Sequence, residues 1–241
     1  RGFHMIASHS DSPGFKFKET PEMTVEDAYV KLNVEKYGGS ILSTWLDRPL
    51  SVAGRVVLAG GAGIRNVAVD RDLLLIPNVA IHMNRDMNKG VEYKVQTDML
   101  PLFAQKADGK SFMELVADGL GIRPEDISGS DLFLYNREEG RICGADGEFV
   151  CAPRLDDLAC VYASRYAMLH GKPGGYVNLM AVFDNEEVGS GTRQGAASTF
   201  LQDTLMRIAE ALGMGGSGYC RLLADSFMIS ADNAHAVHPN H

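Results

Sequence analysis

Four short stretches carry side chains that can hold a metal ion or move a proton: His9-Ser10-Asp11, Leu155-Asp156-Asp157, Asp184-Asn185-Glu186-Glu187 and Ser230-Ala231-Asp232. Carboxylates with an imidazole form the ligand set of a hard or borderline divalent cation. A His followed two residues later by an Asp suits a ligand and its orienter. In locally extended backbone, residues i and i+2 share a side, so the carboxylate can hold the imidazole's other N–H. The pair Glu186-Glu187 carries the most mechanistic information. On a regular strand two neighbours face opposite ways, whereas in a loop just past a strand both can approach one cluster. One can then ligate a metal while the other stays free to accept a proton, as metal-assisted hydrolysis requires. Any one stretch is weak, because adjacent acidic residues are mostly a solvated surface. Four of them, each read as standing where a strand ends, point to one site, since α/β sheets gather their binding groups at the carboxyl ends of strands.

The elements that must position these groups follow from hydrophobic periodicity. Phe3–His9 is a short apolar run and Phe15–Lys18 alternates, so both read as strands. From Ala28 to about Val95 the chain is rich in β-branched residues and punctuated by Gly, with candidate strands at Tyr29–Val34, Leu50–Leu58, Asn66–Val69, Leu73–Ile76 and Tyr93–Gln96. A block of this kind predicts a barrel or sandwich. Ser111–Leu120 has helical spacing and stops at Gly121, and Asp131–Tyr135 reads as a strand. After Arg154 the pattern changes. A helix over Leu155–His170, ended by Gly171 and Pro173, precedes a continuous apolar strand, Tyr176–Phe183, of the buried kind. Helices at Ser198–Leu212 and about Ser217–Ala224 and a strand at Phe227–Ser230 complete an α/β alternation. The expected organisation is a discontinuous α/β domain over 1–24 and 149–241, interrupted by a β-rich insert over 25–148.

Composition bounds the partners. The 241 residues carry 31 acidic against 23 basic side chains, a net charge of -8, and this acidic balance without long basic runs argues against nucleic-acid binding. No apolar run approaches the ~20 residues of a membrane span, and no signal peptide is legible, so the expected location is cytoplasmic. Cys143, Cys151, Cys160 and Cys220 show no CxxC spacing and read as buried thiols of a reducing compartment. The chain opens at Arg1 without Met and stops a few residues past a strand-like run, so the ends read as cuts.

Other constellations favour plainer readings. His235, His238 and His241 are spaced like a metal tract, but Pro239 breaks the helix that would align them. Gly109-Lys110-Ser111 resembles the end of a phosphate-binding loop, yet Ala104 stands where the first glycine is required. Gly213–Gly218 has no Lys and reads as a helix stop. No G-x-S-x-G elbow exists, which argues against an α/β-hydrolase.

Taken together, His-Ser-Asp-Ser-Pro at 9–13, Pro-Arg-Leu-Asp-Asp-Leu at 153–158, Asp-Asn-Glu-Glu-Val-Gly-Ser at 184–190 and Ser-Ala-Asp-Asn-Ala-His-Ala-Val-His-Pro-Asn at 230–240 resemble the M18 family of metallo-aminopeptidases, which includes the aspartyl aminopeptidases. Tyr37-Gly38-Gly39, Thr44-Trp45-Leu46-Asp47-Arg48, Ala53-Gly54-Arg55-Val56 and Pro77-Asn78-Val79-Ala80-Ile81-His82 resemble that family's insert. The resemblance implies a mixed-sheet zinc-exopeptidase α/β domain with an inserted β-rich dimerisation domain. It implies two zinc ions per active site, with His9 on one, oriented by Asp11. Asp156 would bridge both ions, Glu187 would bind the second and Asp232 would complete the first. Glu186 would be the general base. His82 would reach from a neighbouring subunit to the substrate carbonyl or oxyanion.

By the same resemblance, dimers form through the insert and assemble into a larger particle, typically a dodecamer, that removes N-terminal residues, acidic ones foremost, from peptides. Two departures stand out. Asp157 occupies a position where the family usually has Asn, and the family's final His ligand, downstream of the Asp232 motif, is not among these residues. The second metal site is therefore expected to lack a ligand here. The competing readings are a non-catalytic assembly or cargo subunit, an inactive fragment of the same fold, and a dinuclear zinc carboxypeptidase or deacylase.

Overall fold

The computed structural model describes residues 2–105, 109–172 and 174–240. In chain order its strands are β1 (Phe3–His9), β2 (Gly14–Val25), β3 (Tyr29–Tyr37), β4 (Leu50–Leu58), β5 (Ile64–Ala68), β6 (Leu102–Gln105), β7 (Ile127–Asn136), β8 (Arg141–Cys143), β9 (Phe149–Cys151), β10 (Val177–Phe183) and β11 (Phe227–Ser230). The helices are α1 (Val95–Asp98), α2 (Phe112–Leu120), α3 (Leu155–His170), α4 (Phe200–Ala211) and α5 (Gly216–Ala224). The chain divides into two compact units, Arg1–Ser12 with Arg154–His241, and Pro13–Pro153 inserted between those segments. The division thus falls at Ser12/Pro13 and Pro153/Arg154 rather than at 24/25 and 148/149. β2 bonds to β3 and β7, and β9 to β8, all within the inserted unit.

In the first unit β1 is the middle of a three-stranded sheet in the order β10-β1-β11, and both pairings are parallel. β1 is buried along most of its length, as the middle strand of a parallel sheet should be, whereas β10 at the edge leaves Asn178 and Val182 exposed. Phe3 and Met5 of β1 bury themselves against Leu205 and Ala209 of α4 and Leu222 of α5. The buried hydroxyl of Ser8 meets that of Ser164 in α3 at 3.3 Å. β11 lies at the sheet's edge with all four residues exposed, so burial within the described residues does not account for its apolar sequence.

The inserted unit holds a six-stranded sheet in the order β5-β4-β7-β2-β3-β6, with every pairing antiparallel. Its core includes Phe15, Phe17, Leu32, Val34, Val52, Leu132 and Leu134. α2 closes over that core with Phe112 and Val116, and Ser111 and Glu114 cap it reciprocally. Gly109-Lys110-Ser111 is therefore the entrance to a capped helix, and Lys110 is spent on Asp118. Leu73–Ile76 forms no strand; Leu74 pairs with Leu50 of β4 and Leu75 with Leu102 of β6, stitching two separated strands. Tyr93–Gln96 is not a strand either, because α1 begins at Val95. The Lys94 N–H donates to the Asp98 carboxylate at 2.7 Å and closes the turn. A local side-chain acceptor here outcompetes a ladder.

The thiols also depart from expectation: Cys143, Cys151 and Cys220 are exposed and Cys160 is half-buried. Cys143 and Cys151 sit on the hairpin β8–β9, a two-stranded sheet whose residues are all exposed. Pro173, read as a helix stop, lies outside the described residues. No described helix is long and apolar enough to cross a membrane.

One carboxylate ties three neighbouring strands of the insert. Asp131 on β7 accepts from Arg55 Nε at 3.1 Å and Nη2 at 2.8 Å on β4, and pairs with Lys16 Nζ on β2 at 2.8 Å. Burial pushes its pKa up, but Lys16 and Arg55 prevail and hold it below the usual carboxylate range. A depressed folded-state pKa means stability present above the unfolded value and lost as pH falls through the folded one. Asp131→Asn is therefore expected to melt at a lower temperature than wild type at pH 7. That gap should begin to narrow as pH falls below about 4, the unfolded-state value, and close once pH passes below the depressed folded-state pKa. Thermal melts across pH would show it; a gap that persists unchanged at pH 3 would contradict this account.

Candidate metal centre

Parallel pairing puts the carboxyl ends of β1, β10 and β11 at one edge, with His9 opposite Phe183 and Ala7 opposite Ser230. The segments leaving those ends carry Asp11, Glu186 with Glu187, and Asp232. The fourth stretch arrives differently. Asp156 and Asp157 follow no strand of this sheet but open α3. The expectation of four strand ends is thus corrected to three strand ends and one helix start.

His9 is 5% exposed and its two ring nitrogens have different tasks. Nδ1 lies 3.1 Å from the backbone carbonyl of Asp11 and 3.3 Å from its Oδ1. With Nδ1 donating there, the lone pair is left on Nε2, which faces Asp156 Oδ1 at 3.4 Å and Asp232 Oδ1 at 3.8 Å. Tetrahedral zinc with bonds of ~2.0–2.1 Å sets its ligand atoms about 3.3–3.4 Å apart. The distance from Nε2 to Asp156 meets that spacing and the distance to Asp232 is somewhat longer, so one imidazole and two carboxylates face one another as a zinc ion's donors can.

The charges agree. Burial pushes the His9 pKa down, but the charges of Asp11, Asp157, Glu186 and Asp232 outweigh it and hold the imidazole above its ordinary value of 6.5. The Glu187 carboxyl is raised by burial first, then by repulsion from Glu186, Asp11 and Asp156. Partly buried carboxylates that repel one another around an imidazole are what a bound cation relieves.

Asp11 does more than orient a ring. The Glu186 N–H donates to its Oδ1 and the Glu187 N–H to its Oδ2, both at 3.1 Å, and the side chain is only 6% exposed. One carboxylate therefore fixes the His9 imidazole and the turn bearing both glutamates. That turn is a 3-10 helix over Glu186–Val188, entered through Asn185 in the left-handed region (φ 62°). Asn tolerates this conformation, and Thr192 Oγ1 donates to its Oδ1 at 2.6 Å to hold it. The turn leaves Glu186 exposed and Glu187 half-buried.

The structure thus brings together His9, Asp11, Asp156, Glu186, Glu187 and Asp232. His82 is not among them; it lies in the inserted unit, exposed, in a turn at 81–83. His235 and His238 are exposed, and His241 lies outside the described residues. The sequence marked Asp157 only as a departure from the family's pattern and assigned Asn233 no role. Asp157 is fully buried and lies within 4.8 Å of donor atoms on His9 and Asp232. Its oxygens accept from the His9 backbone N–H at 3.1 Å and from Asn233 Nδ2 at 3.3 Å, which marks Asp156, with its exposed carboxylate facing Nε2, as the better ligand. Interaction with the Asp157 carboxylate, then burial, pushes the Cys160 thiol's pKa up to about 11.

All of residues 1–241 match the family described as "Aminopeptidase I zinc metalloprotease (M18)". The chain is 46% identical to a probable M18 family aminopeptidase 2 of Clostridium acetobutylicum, over its whole length but 57% of that relative. Among solved structures it superposes on one from an Ape4 and Nbr1 complex, with a TM-score of 0.92 and 36% identity, covering all of this chain and 51% of that one. It also matches the mApe1 dodecamer of S. cerevisiae, with a TM-score of 0.80 and 25% identity over 99% of this chain and 56% of that one. The chain spans little more than half the length of the curated relative it matches.

Proposed function

Because the chain belongs to the M18 family of zinc metalloproteases, we propose that it carries the metal-binding core of an aminopeptidase that hydrolyses the N-terminal residue from peptides. The observation that carries this reading is the His9 imidazole, oriented by Asp11 and facing Asp156 Oδ1 at 3.4 Å and Asp232 Oδ1 at 3.8 Å. His9, Asp156 and Asp232 would hold one zinc ion. Asp156 and Glu187 would hold a second, with a further ligand from outside these residues. When bound, zinc supplies Lewis-acid activation of a water molecule and polarises the scissile carbonyl.

The chain's own groups do the rest. Glu186, exposed and not among the ligands, takes the proton of the attacking water and returns it to the leaving amine. Asp11 keeps both the base and the ligand beside it in place through their backbone N–H groups. By resemblance, His82 of a neighbouring copy would stabilise the oxyanion, the inserted unit would form the dimer, and the dimers a dodecamer such as the one S. cerevisiae mApe1 forms. Acidic N-terminal residues are the proposed substrates.

The test is zinc analysis of the full-length gene product together with its hydrolysis of N-terminal Asp, Glu and Leu substrates. About two zinc ions per chain and faster release of Asp or Glu are expected. Zinc uptake without any N-terminal hydrolysis would favour the non-catalytic reading. Release of C-terminal residues or of acyl groups instead would favour the carboxypeptidase or deacylase.

A further inference from the structure

Three left-handed residues frame the turn that bears the two glutamates: Asn185 (φ 62°), Gly189 (φ 95°) and Ser190 (φ 59°). Non-glycine residues adopt that conformation only rarely, and it persists where neighbours impose it. The segment that follows does so by folding back on the turn. The Ser190 N–H donates to the Asn185 carbonyl at 2.8 Å, the Ala197 N–H to the Ser190 carbonyl at 3.2 Å, and the Asp184 N–H to the Gln194 carbonyl at 3.1 Å. Gly195 is buried where these passes meet. A Cβ there would stand 2.1 Å from the Ser190 carbonyl oxygen, so only glycine lets the chain come this close. A side-chain bond then ties the segment to the entrance of the turn: Thr192 Oγ1 donates to Asn185 Oδ1 at 2.6 Å. The amide is oriented for it, since Asn185 Nδ2 donates to Asp184 Oδ1 at 3.4 Å.

We propose that the segment 190–197 is a clasp on the glutamate turn and that Thr192 is its positioning residue: through Asn185 it fixes where Glu186 and Glu187 stand, and so governs turnover and the second zinc ion while leaving the first alone. This rests on reading Glu186 as the base and Glu187 as a ligand of the second ion. Without the Thr192 hydroxyl, Asn185 Oδ1 loses its donor and the left-handed entrance is free to relax. A change of φ at the entrance swings the side chains that follow it. No described hydrogen bond of 190–197 reaches His9, Asp156 or Asp232, and Asp11 still orients the His9 ring, so the first ion's proposed ligands stay in place.

The experiment uses the full-length gene product as wild type, Thr192→Val, Thr192→Ser and Asn185→Gly. It measures kcat and KM on the best of the N-terminal Asp, Glu and Leu substrates, Zn²⁺ affinities by chelator competition, and melting of each metal-free protein. Valine keeps the shape of threonine and removes the hydroxyl. Thr192→Val is expected to lower kcat about 10–100-fold at saturating zinc with KM nearly unchanged, as a displaced base would. It should also weaken one of the two zinc ions about 10–100-fold, the usual cost of losing an outer partner of a ligand, and leave the other at wild-type affinity. Thr192→Ser, which restores the donor, is expected to recover both. Should Thr192→Val not fold, Asn185→Gly carries the test with the same signature, because glycine keeps the left-handed backbone and removes the acceptor. Wild-type kcat and zinc affinities in folded Thr192→Val would overturn the proposal, even if that variant melts earlier. So would equal weakening of both ions, or a Thr192→Ser no better than Thr192→Val. A wild-type protein that takes up no zinc would sink the metal-site reading itself, and this inference with it. Zinc uptake without peptide cleavage would sink the aminopeptidase reading alone, and the zinc affinities would then decide this one.

Discussion

Glu186→Gln is expected to lower kcat by about 10²–10⁴-fold, equivalent to roughly 2.7–5.5 kcal/mol of transition-state stabilisation. The substitution keeps the side chain's size and leaves the backbone N–H that Asp11 holds, so the turn at 186–188 should stand. On the proposed mechanism, what is lost is the basic oxygen that takes the proton from water. A base acts in the transition state and not in substrate binding, so KM should barely move. Zinc content should also stay at the wild-type level, because Glu186 is exposed and the proposed ligand donors lie on other side chains. The decisive result is the pair of measurements. Turnover retained with zinc bound would remove Glu186 from the mechanism, whereas turnover and zinc lost together would make it a ligand.

Asp11→Asn should strike two functions at once. The native carboxylate serves three groups, the His9 ring and the N–H groups of Glu186 and Glu187. Asparagine offers one acceptor oxygen to them, and its NH2 must face a donor. Losing the orienter of His9 should weaken zinc binding about 10–100-fold. Loosening the glutamate turn should then cost turnover even at saturating zinc, because a base displaced by about 1 Å can forfeit as much as 10²-fold. The expected signature is a kcat that zinc supplementation restores only in part. Full recovery at high zinc would mean that Asp11 orients His9 and nothing more. Unchanged affinity and turnover would deny it both roles.

Much of the fold was legible because it depends on local pattern. The strands at Phe3–His9, Leu50–Leu58 and Phe227–Ser230 and the helix at Leu155–His170 match their expected bounds, since period and bounding residues mark them. The failures share a physical cause. At Tyr93–Gln96 a single acceptor, Asp98, closed a helical turn that the β-like composition hid. At 141–151 the hairpin carries no alternation because neither of its faces is buried. The thiols there were read as buried on residue type alone, and they are exposed because no layer covers that hairpin. The edge of the insert was misplaced because a strand's sequence does not say which sheet it joins.

By itself, then, the sequence determined which chemistry this protein can host. An imidazole, paired carboxylates and their order along the chain are covalent facts, and residue type dictates affinity for a cation. Only the tertiary structure decided what each carboxylate does. Asp11, Asp156, Asp157 and Asp232 are chemically identical, and their neighbours in the chain do not tell them apart. Folding buries Asp11 between an imidazole and two N–H groups, and buries Asp157 among donors. It leaves Asp156 and Asp232 exposed, turned toward the one free nitrogen of His9. A carboxylate surrounded by N–H groups has its lone pairs taken, and one facing a lone pair across an open space has its own to give. That difference depends on long-range geometry, and it separates a ligand from its support.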